Sequence, residues 1–277
     1  MAPRIGCILP PDTEFSHIVD ISQTCERLGY DSIWAFDHLA PYWLKYAESL
    51  ECWTTMASLV AHTRRIKLGS LVTNSSLRHP SLLAKIASSL DNISHGRVIL
   101  GIGTGDRLSK QELTSFGYQY EPTDERVTQL RETIQILRGL WSSDDFSYVG
   151  SCFRLSHATI YPKPNQQHLP IWIGGKHHSL IDLVAELADG WNYWNIDQAQ
   201  LVSKTNYLRK KCTCLHRSFD QIDKSWSGTI PRSCSTNELI DYLKKQTVVK
   251  SGYFIGYFGE YTKPESLEKF ADAVRKL

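Results

Sequence analysis

"VILGIGTGDRL" (residues 98–108) begins as an unbroken apolar run, passes into the alternating glycines Gly101, Gly103 and Gly105, and ends on the carboxylate of Asp106. A dinucleotide fingerprint would require G-x-G-x-x-G, its third glycine letting the next helix pack against the strand. Counted from Gly101 that glycine falls on Asp106, and counted from Gly103 it falls on Leu108. The fingerprint fails. What remains is a buried strand that sheds its side chains at its carboxyl end, where backbone comes close to another backbone or to a ligand.

Working outward from this strand, "RIGCILP" (4–10), "DSIWAFDH" (31–38), "IKLGSLV" (66–72), "PIWIGG" (170–175), "GWNYW" (190–194), "SWSGTI" (225–230) and "SGYFIGYF" (251–258) are further β-like runs. Each precedes a stretch of helical period, so the chain reads as eight β/α units. "FSYVG" and "FRL", within 146–155, form a small hairpin insert after the fourth helix. Strands apolar almost throughout fit a parallel sheet covered on both faces. Eight units with short connections in 277 residues predict a closed (β/α)8 TIM barrel, read as one domain over 1–277. An open doubly wound sheet is the alternative, but it would carry a glycine fingerprint near the first strand, and "CILPPD" has none.

Lys and Arg number 31 against 29 Asp and Glu, with no basic run, so neither nucleic acid nor a charged membrane surface is indicated as a partner. A small-molecule substrate fits better. "MAPRIGCILPPD" has too short an apolar stretch for a signal peptide and no run approaches a membrane span, which predicts a cytoplasmic protein. The seven cysteines are scattered and imply no disulfide framework. Cys212 and Cys214 have no matching second pair, so no metal site is expected.

A barrel of this kind keeps its ligand site at the carboxyl ends of its strands. Those positions hold Asp37 and His38 with Tyr42 and Trp43 behind them, "GSLVTN" (69–74), Gly103 to Asp106, Ile173 to Gly175, and Trp191, Tyr193 and Trp194. Other conspicuous residues read as scaffold. Asp91 and Arg97 lie at the amino end of the fourth strand and predict a structural ion pair; Arg78 and His79 open a helix at Pro80. His177 and His178 read as exposed cap residues, and Trp172 as barrel core.

"RHPSLLAKIASSLDNISHGRVILGIGTG", "RETIQILRGLW", "YPKPNQQHLPIWIGG" and "LADGW", in this order and spacing, resemble the bacterial luciferase-like superfamily, and within it the deazaflavin (coenzyme F-420) dependent oxidoreductases. The resemblance runs from about residue 4 to "ESLEKFADAV" (265–274) and implies the same (β/α)8 fold. It implies that Gly103, Thr104 and Gly105 lie against the deazaflavin or isoalloxazine ring, and that Ile173, Gly174 and Gly175 lead to a helix start suited to a phosphate. It further implies a non-proline cis peptide within Ser70, Leu71 and Val72, in a bulge backing the ring. Asp37 would face the ring, while His38 would act as the base that takes the substrate proton, histidine being the residue type suited to that role near neutrality.

The related dehydrogenases carry a tryptophan four residues after the histidine and a glutamate after the glycine loop. Here those places hold Tyr42, with Trp43 one further on, and Asp106, so Asp106 is the second candidate catalytic residue. The resemblance also implies a homodimer. Two other functions remain open: an FMN-dependent monooxygenase on the same fold, and a flavin- or deazaflavin-binding protein without turnover.

Overall fold

A computed structural model of the chain describes residues 2–11, 14–40, 49–247, 252–259 and 262–277, with Arg107 and Leu108 described by backbone alone. Tyr42 and Trp43 lie outside the described residues. The elements run β1 (Arg4–Ile8), α1 (Phe15–Arg27), β2 (Ser32–Ala35), α2 (Cys52–Val60), β3 (Lys67–Ser70), β4 (Thr73–Asn74), α3 (Pro80–Ile93), β5 (Val98–Gly103), α4 (Arg107–Ser115) and α5 (Thr123–Ser142). They continue with β6 (Phe146–Val149), β7 (Arg154–Ala158), β8 (Ile171–Gly174), α6 (His178–Leu187), β9 (Gly190–Trp194), α7 (Gln198–Cys214), β10 (Asp223–Thr229), α8 (Thr236–Lys244), β11 (Tyr253–Tyr257) and α9 (Pro264–Arg275).

All strands of the large sheet pair in parallel, in the order β3-β2-β1-β11-β10-β9-β8-β5-β4, and a β3–β5 pairing through Leu68↔Val98 closes the ring. β3 and β4 are two halves of the third strand, so the ring is an eight-stranded TIM barrel. Between the halves the Leu71–Val72 peptide is cis, inside the stretch where the resemblance implies one. β6 and β7 form the antiparallel hairpin after the fourth helix of the barrel, α5. The unforeseen element is α4, which starts directly behind the glycine loop.

Alternation along each strand separates two cores. Ile33 and Ala35, Leu100 and Ile102, and Ile171 and Ile173 point outward into a layer shared with the helices. Ile8, Trp34, Leu71, Ile99, Trp172, Tyr253 and Ile255 fill the barrel interior, with Phe36, Val72 and Tyr257 packed on top. Trp34, Trp172 and Tyr253 sit within 5.1–6.4 Å of one another, ring centre to ring centre, and leave no room for side chains opposite. A Cβ at Gly69 would enter the Trp34 ring, and one at Gly190 the Trp172 ring. Trp172 is core, as its alternation predicts.

Local signals start the helices. Pro80 begins α3 behind His79, whose Nδ1 accepts from the Ser81 amide. Ser235 and Glu238 form a capping box on α8, and Asp197 caps α7. Asp91 and Arg97 correct the expected ion pair, since none joins them among the described residues. Asp91 accepts from the backbone and side-chain nitrogens of Gln166, at 2.8 and 2.7 Å, while Arg97 donates to Thr63 Oγ1 and the Ile66 carbonyl. Each staples a different pair of segments at the amino-terminal face. No described helix is long and apolar enough to cross a membrane.

Candidate active site

The floor of the barrel mouth is built from the bulge and the glycines that face it. Gly101 and Gly103 point inward from β5 because Leu100 and Ile102 point outward. A Cβ on Gly101 would collide with the Ser70 carbonyl oxygen, so the third strand approaches β5 through bare backbone. Ser70 Oγ then donates to the Gly101 carbonyl at 2.8 Å. Beyond the cis peptide, the Val72 isopropyl group lies where side chains at Gly103 and Gly174 would go, 2.9 and 2.8 Å from their hypothetical Cβ atoms. A side chain at Gly103 would therefore meet Val72. These glycines admit the bulge, and the bulge presents Val72 and Leu71 at the top of the interior core.

The rest of the glycine loop is held from outside. Gly105 has φ +70°, in the left-handed region that favours glycine, and the buried Arg126 of α5 donates at 2.9 Å to the carbonyls of both Thr104 and Gly105. The Tyr120 ring stacks on Arg126 with the guanidinium 4.2 Å from its centre, and Tyr120 Oη donates to the Asp106 carbonyl. Arg126 was missed in the sequence, where it is one more charge in a charged helix start.

Asp106 lies at the end of the glycine loop. It is exposed, and its carboxylate caps α4 by accepting from the amide and hydroxyl of Ser109 at 2.9 and 3.1 Å. At β8, the Ile173 side chain faces the outer core, leaving only its backbone for the mouth. The Gly175 carbonyl accepts from Trp191 Nε1, and α6 begins at His178 behind His177, which makes no side-chain cap to the helix amides. His177 and His178 are exposed, as expected of cap positions.

The wall is made of charge. His38 leaves β2 on the same side as Phe36, with ring centres 6.4 Å apart. Its Nδ1 lies 2.6 Å from Oε2 of Glu112, a carboxylate 3% exposed on α4. Glu112 Oε1 accepts from the backbone amides of Leu39 and Ala40. Nothing in the pattern near His38 announces Glu112, which arrives from a helix 74 residues downstream. The available signal is the capping pattern Asp106-x-x-Ser109, which marks the start of α4 and places Glu112 one turn beyond Ser109.

Asp37 turns away from His38 into a second cluster. Its oxygens accept from Arg78 Nη1 and Nη2 at 2.7 and 2.9 Å and from the Asn74 amide at 3.1 Å, and the residue is 3% exposed. Burial pushes the Asp37 carboxyl above its ordinary range, against the opposing pull of Arg78 and the Asn74 amide. Burial would lower Arg78, but Asp37 and then Glu51, 2.6 Å from the same Nη2 that meets Asp37, hold it above its ordinary value. Arg78, expected only to open a helix, thus ties β2, β4 and the start of α2 together.

Three further rings stand over the floor: Phe36, Trp194 and Tyr257, with centres 5.7–6.3 Å apart. Thr73 Oγ1 and Ser75 Oγ, immediately after the bulge, are buried and find no hydrogen-bond partner among the described residues. No group of three or more His, Cys, Asp or Glu side chains gathers among the described residues in a way that could hold a metal ion.

A parallel eight-stranded barrel is a TIM barrel, a fold whose ligand sites lie at the carboxyl ends of its strands, where the glycines and His38 of this chain stand. Residues 2–230 match the family described as luciferase-like monooxygenase, and the chain belongs to that family. It is 30% identical over 177 residues to an F420-dependent glucose-6-phosphate dehydrogenase of Microbacterium testaceum, covering 64% of this chain and 52% of that protein. A protein of the same description from Kineococcus radiotolerans is 29% identical over 211 residues, covering 75% of this chain and 61% of that one. The chain thus matches between 52% and 61% of the length of these curated relatives. Its fold is that of an F420-dependent secondary alcohol dehydrogenase solved with an F420-acetone adduct, at a TM-score of 0.88 over 99% of both chains with 16% identity.

Proposed function

We propose that the chain is an oxidoreductase that moves a hydride between the deazaflavin coenzyme F-420 and a small organic alcohol or its carbonyl counterpart. The observation that carries this reading is the His38 imidazole, fixed through Nδ1 at the barrel mouth. The relatives support the choice of coenzyme, being described as F420-dependent. The orphaned hydroxyls of Thr73 and Ser75 fit a planar, hydrogen-bonding group resting on the bulge, because buried polar atoms left unpaired are costly. Ser70, Leu71 and Val72 would back that group, the backbone of Gly103, Thr104 and Gly105 would edge it, and the backbone from Ile173 to Gly175 with the start of α6 would receive its phosphate.

When bound, the deazaflavin supplies the two-electron hydride acceptor or donor. The protein's part is positional and protonic. An alcohol that gives up a hydride from carbon must also lose its hydroxyl proton, and His38 Nε2 accepts it; in the reverse direction His38 returns it. Asp37 is assigned a supporting role rather than ring contact, because its oxygens are already bound by Arg78 and Asn74. Asp106 is assigned to capping α4 rather than to the proton relay. A homodimer, resting on family resemblance, and a cytoplasmic location belong to the same proposal.

Titration with coenzyme F-420 and with FMN tests the cofactor, and tighter binding of FMN would favour the monooxygenase reading. In the F-420-loaded protein, His38→Ala should lower alcohol-dependent reduction by about 10² to 10⁴ with little change in coenzyme affinity. Coenzyme binding with no turnover on any alcohol or carbonyl compound would favour the non-catalytic binding protein.

A further inference from the structure

We infer that Glu112 is a positioning residue that decides which ring nitrogen of His38 is basic. The inference rests on the reading of His38 as proton acceptor and deepens it. A carboxylate can only accept, so at 2.6 Å from Glu112 Oε2 the His38 Nδ1 must carry the hydrogen. In the neutral ring that leaves Nε2 unprotonated, the form a base requires. The second oxygen of Glu112 has separate work: Oε1 accepts the amides of Leu39 and Ala40, fixing the backbone that follows His38. One buried side chain therefore sets both the tautomer and the seat of the imidazole. When His38 takes the substrate proton, the carboxylate already opposite Nδ1 stabilises the imidazolium that forms.

Glu112→Gln separates these two jobs. A carboxamide has one accepting oxygen, and the two amides of residues 39 and 40 compete for it, leaving the NH2 group against Nδ1. Nδ1 must then accept, the ring hydrogen moves to Nε2, and the base is lost although the fold is kept. Nitrogen-15 spectra of the histidine rings in the full chain at neutral pH read this directly, with the signals of His38 identified by their loss in His38→Ala. The wild type should show the Nδ1–H form and Glu112→Gln the Nε2–H form. In the loaded enzyme Glu112→Gln should lower kcat by about 10² to 10⁴ while KM for the alcohol stays within about 3-fold.

An Nε2–H form in the wild type, or an unchanged tautomer in Glu112→Gln, overturns the inference. The wild-type spectrum decides the tautomer even if Glu112→Gln fails to fold. Full turnover in His38→Ala overturns the proton-acceptor reading instead, and with it the catalytic part of this inference, while the spectrum still decides the tautomer.

Discussion

At the floor of the barrel mouth, Val72 lies over Gly103 and Gly174, and the Ser70 carbonyl presses on Gly101. At the wall, His38, Glu112, Asp37, Arg78 and Glu51 meet through side-chain oxygens and nitrogens. The floor depends on the absence of atoms and carries no charge. The wall depends on ionised groups drawn from β2, α4 and the segments before α2 and α3. Substitutions in the floor should therefore act through volume at every pH, whereas substitutions in the wall should act through charge and follow pH.

The largest effect belongs to the floor. Gly101→Ala places a methyl group onto the Ser70 carbonyl oxygen, a backbone atom that can retreat only by withdrawing the bulge. We expect a stability loss on the order of 4 kcal/mol, the range reserved for changes a structure cannot relax around. Urea unfolding measures it, and a loss below about 1 kcal/mol, the scale of an ordinary substitution, would show that the floor is softer than described.

Next comes the wall. Asp37→Ala strips Arg78 of its bidentate partner and leaves the Asn74 amide without an acceptor, with Glu51 as the remaining carboxylate. Losing one member of a buried ion pair costs about 3–5 kcal/mol, and the surviving Glu51 contact places this case near the lower figure. A double-mutant cycle with Arg78→Ala should return a coupling above about 1 kcal/mol, and additivity would mean the pair is not energetically joined.

Gly103→Ala probes the contact between Val72 and the glycine loop. Its new methyl would stand 2.9 Å from Val72 Cγ2, the end of a side chain that can shift a little, so a loss of about 1–3 kcal/mol is expected. Trimming the neighbour in Gly103→Ala/Val72→Ala should restore much of this loss. If the double variant is no more stable than the single one, Val72 is not what the glycine accommodates.

The floor was largely legible in the sequence and the wall was not, for a physical reason. Alternating glycines at the end of an apolar strand report a local steric demand, so Gly101, Gly103 and Gly174 could be singled out, although not that Val72 is the side chain lying over two of them. The barrel was legible on the same grounds, because its periodicity is local. Charged pairing is not local. His38 could be picked out from its place after a strand, but its partner Glu112 is fixed only once α4 folds back over the second strand end. Asp106 carried the signal of a carboxylate behind a glycine loop, and the same position is a favoured helix N-cap. Arg78 was hidden by Pro80, whose helix-start signal accounted for the neighbourhood without the ion pair.

The smallest effect separates floor from wall by pH alone. Burial would raise the Glu51 carboxyl, but the amides of Thr54 and Trp53, the Thr54 hydroxyl and the charge of Arg78 together hold it below its ordinary value of 4.5. A carboxylate with a depressed folded value adds stability that is present above its unfolded value and lost as pH falls through the folded one. Glu51→Gln should therefore lower Tm at neutral pH, with the difference from wild type shrinking steadily below about pH 4.5 and vanishing once both forms are uncharged. Gly103→Ala, measured over the same range, should show a constant offset. Thermal unfolding of both variants between about pH 3 and 7 makes the comparison, with 4.5 as the value from which the Glu51 difference starts to close. A Glu51→Gln difference that stays constant with pH would mean that its hydrogen bonds to α2 matter through geometry alone, and that the wall is as indifferent to charge as the floor.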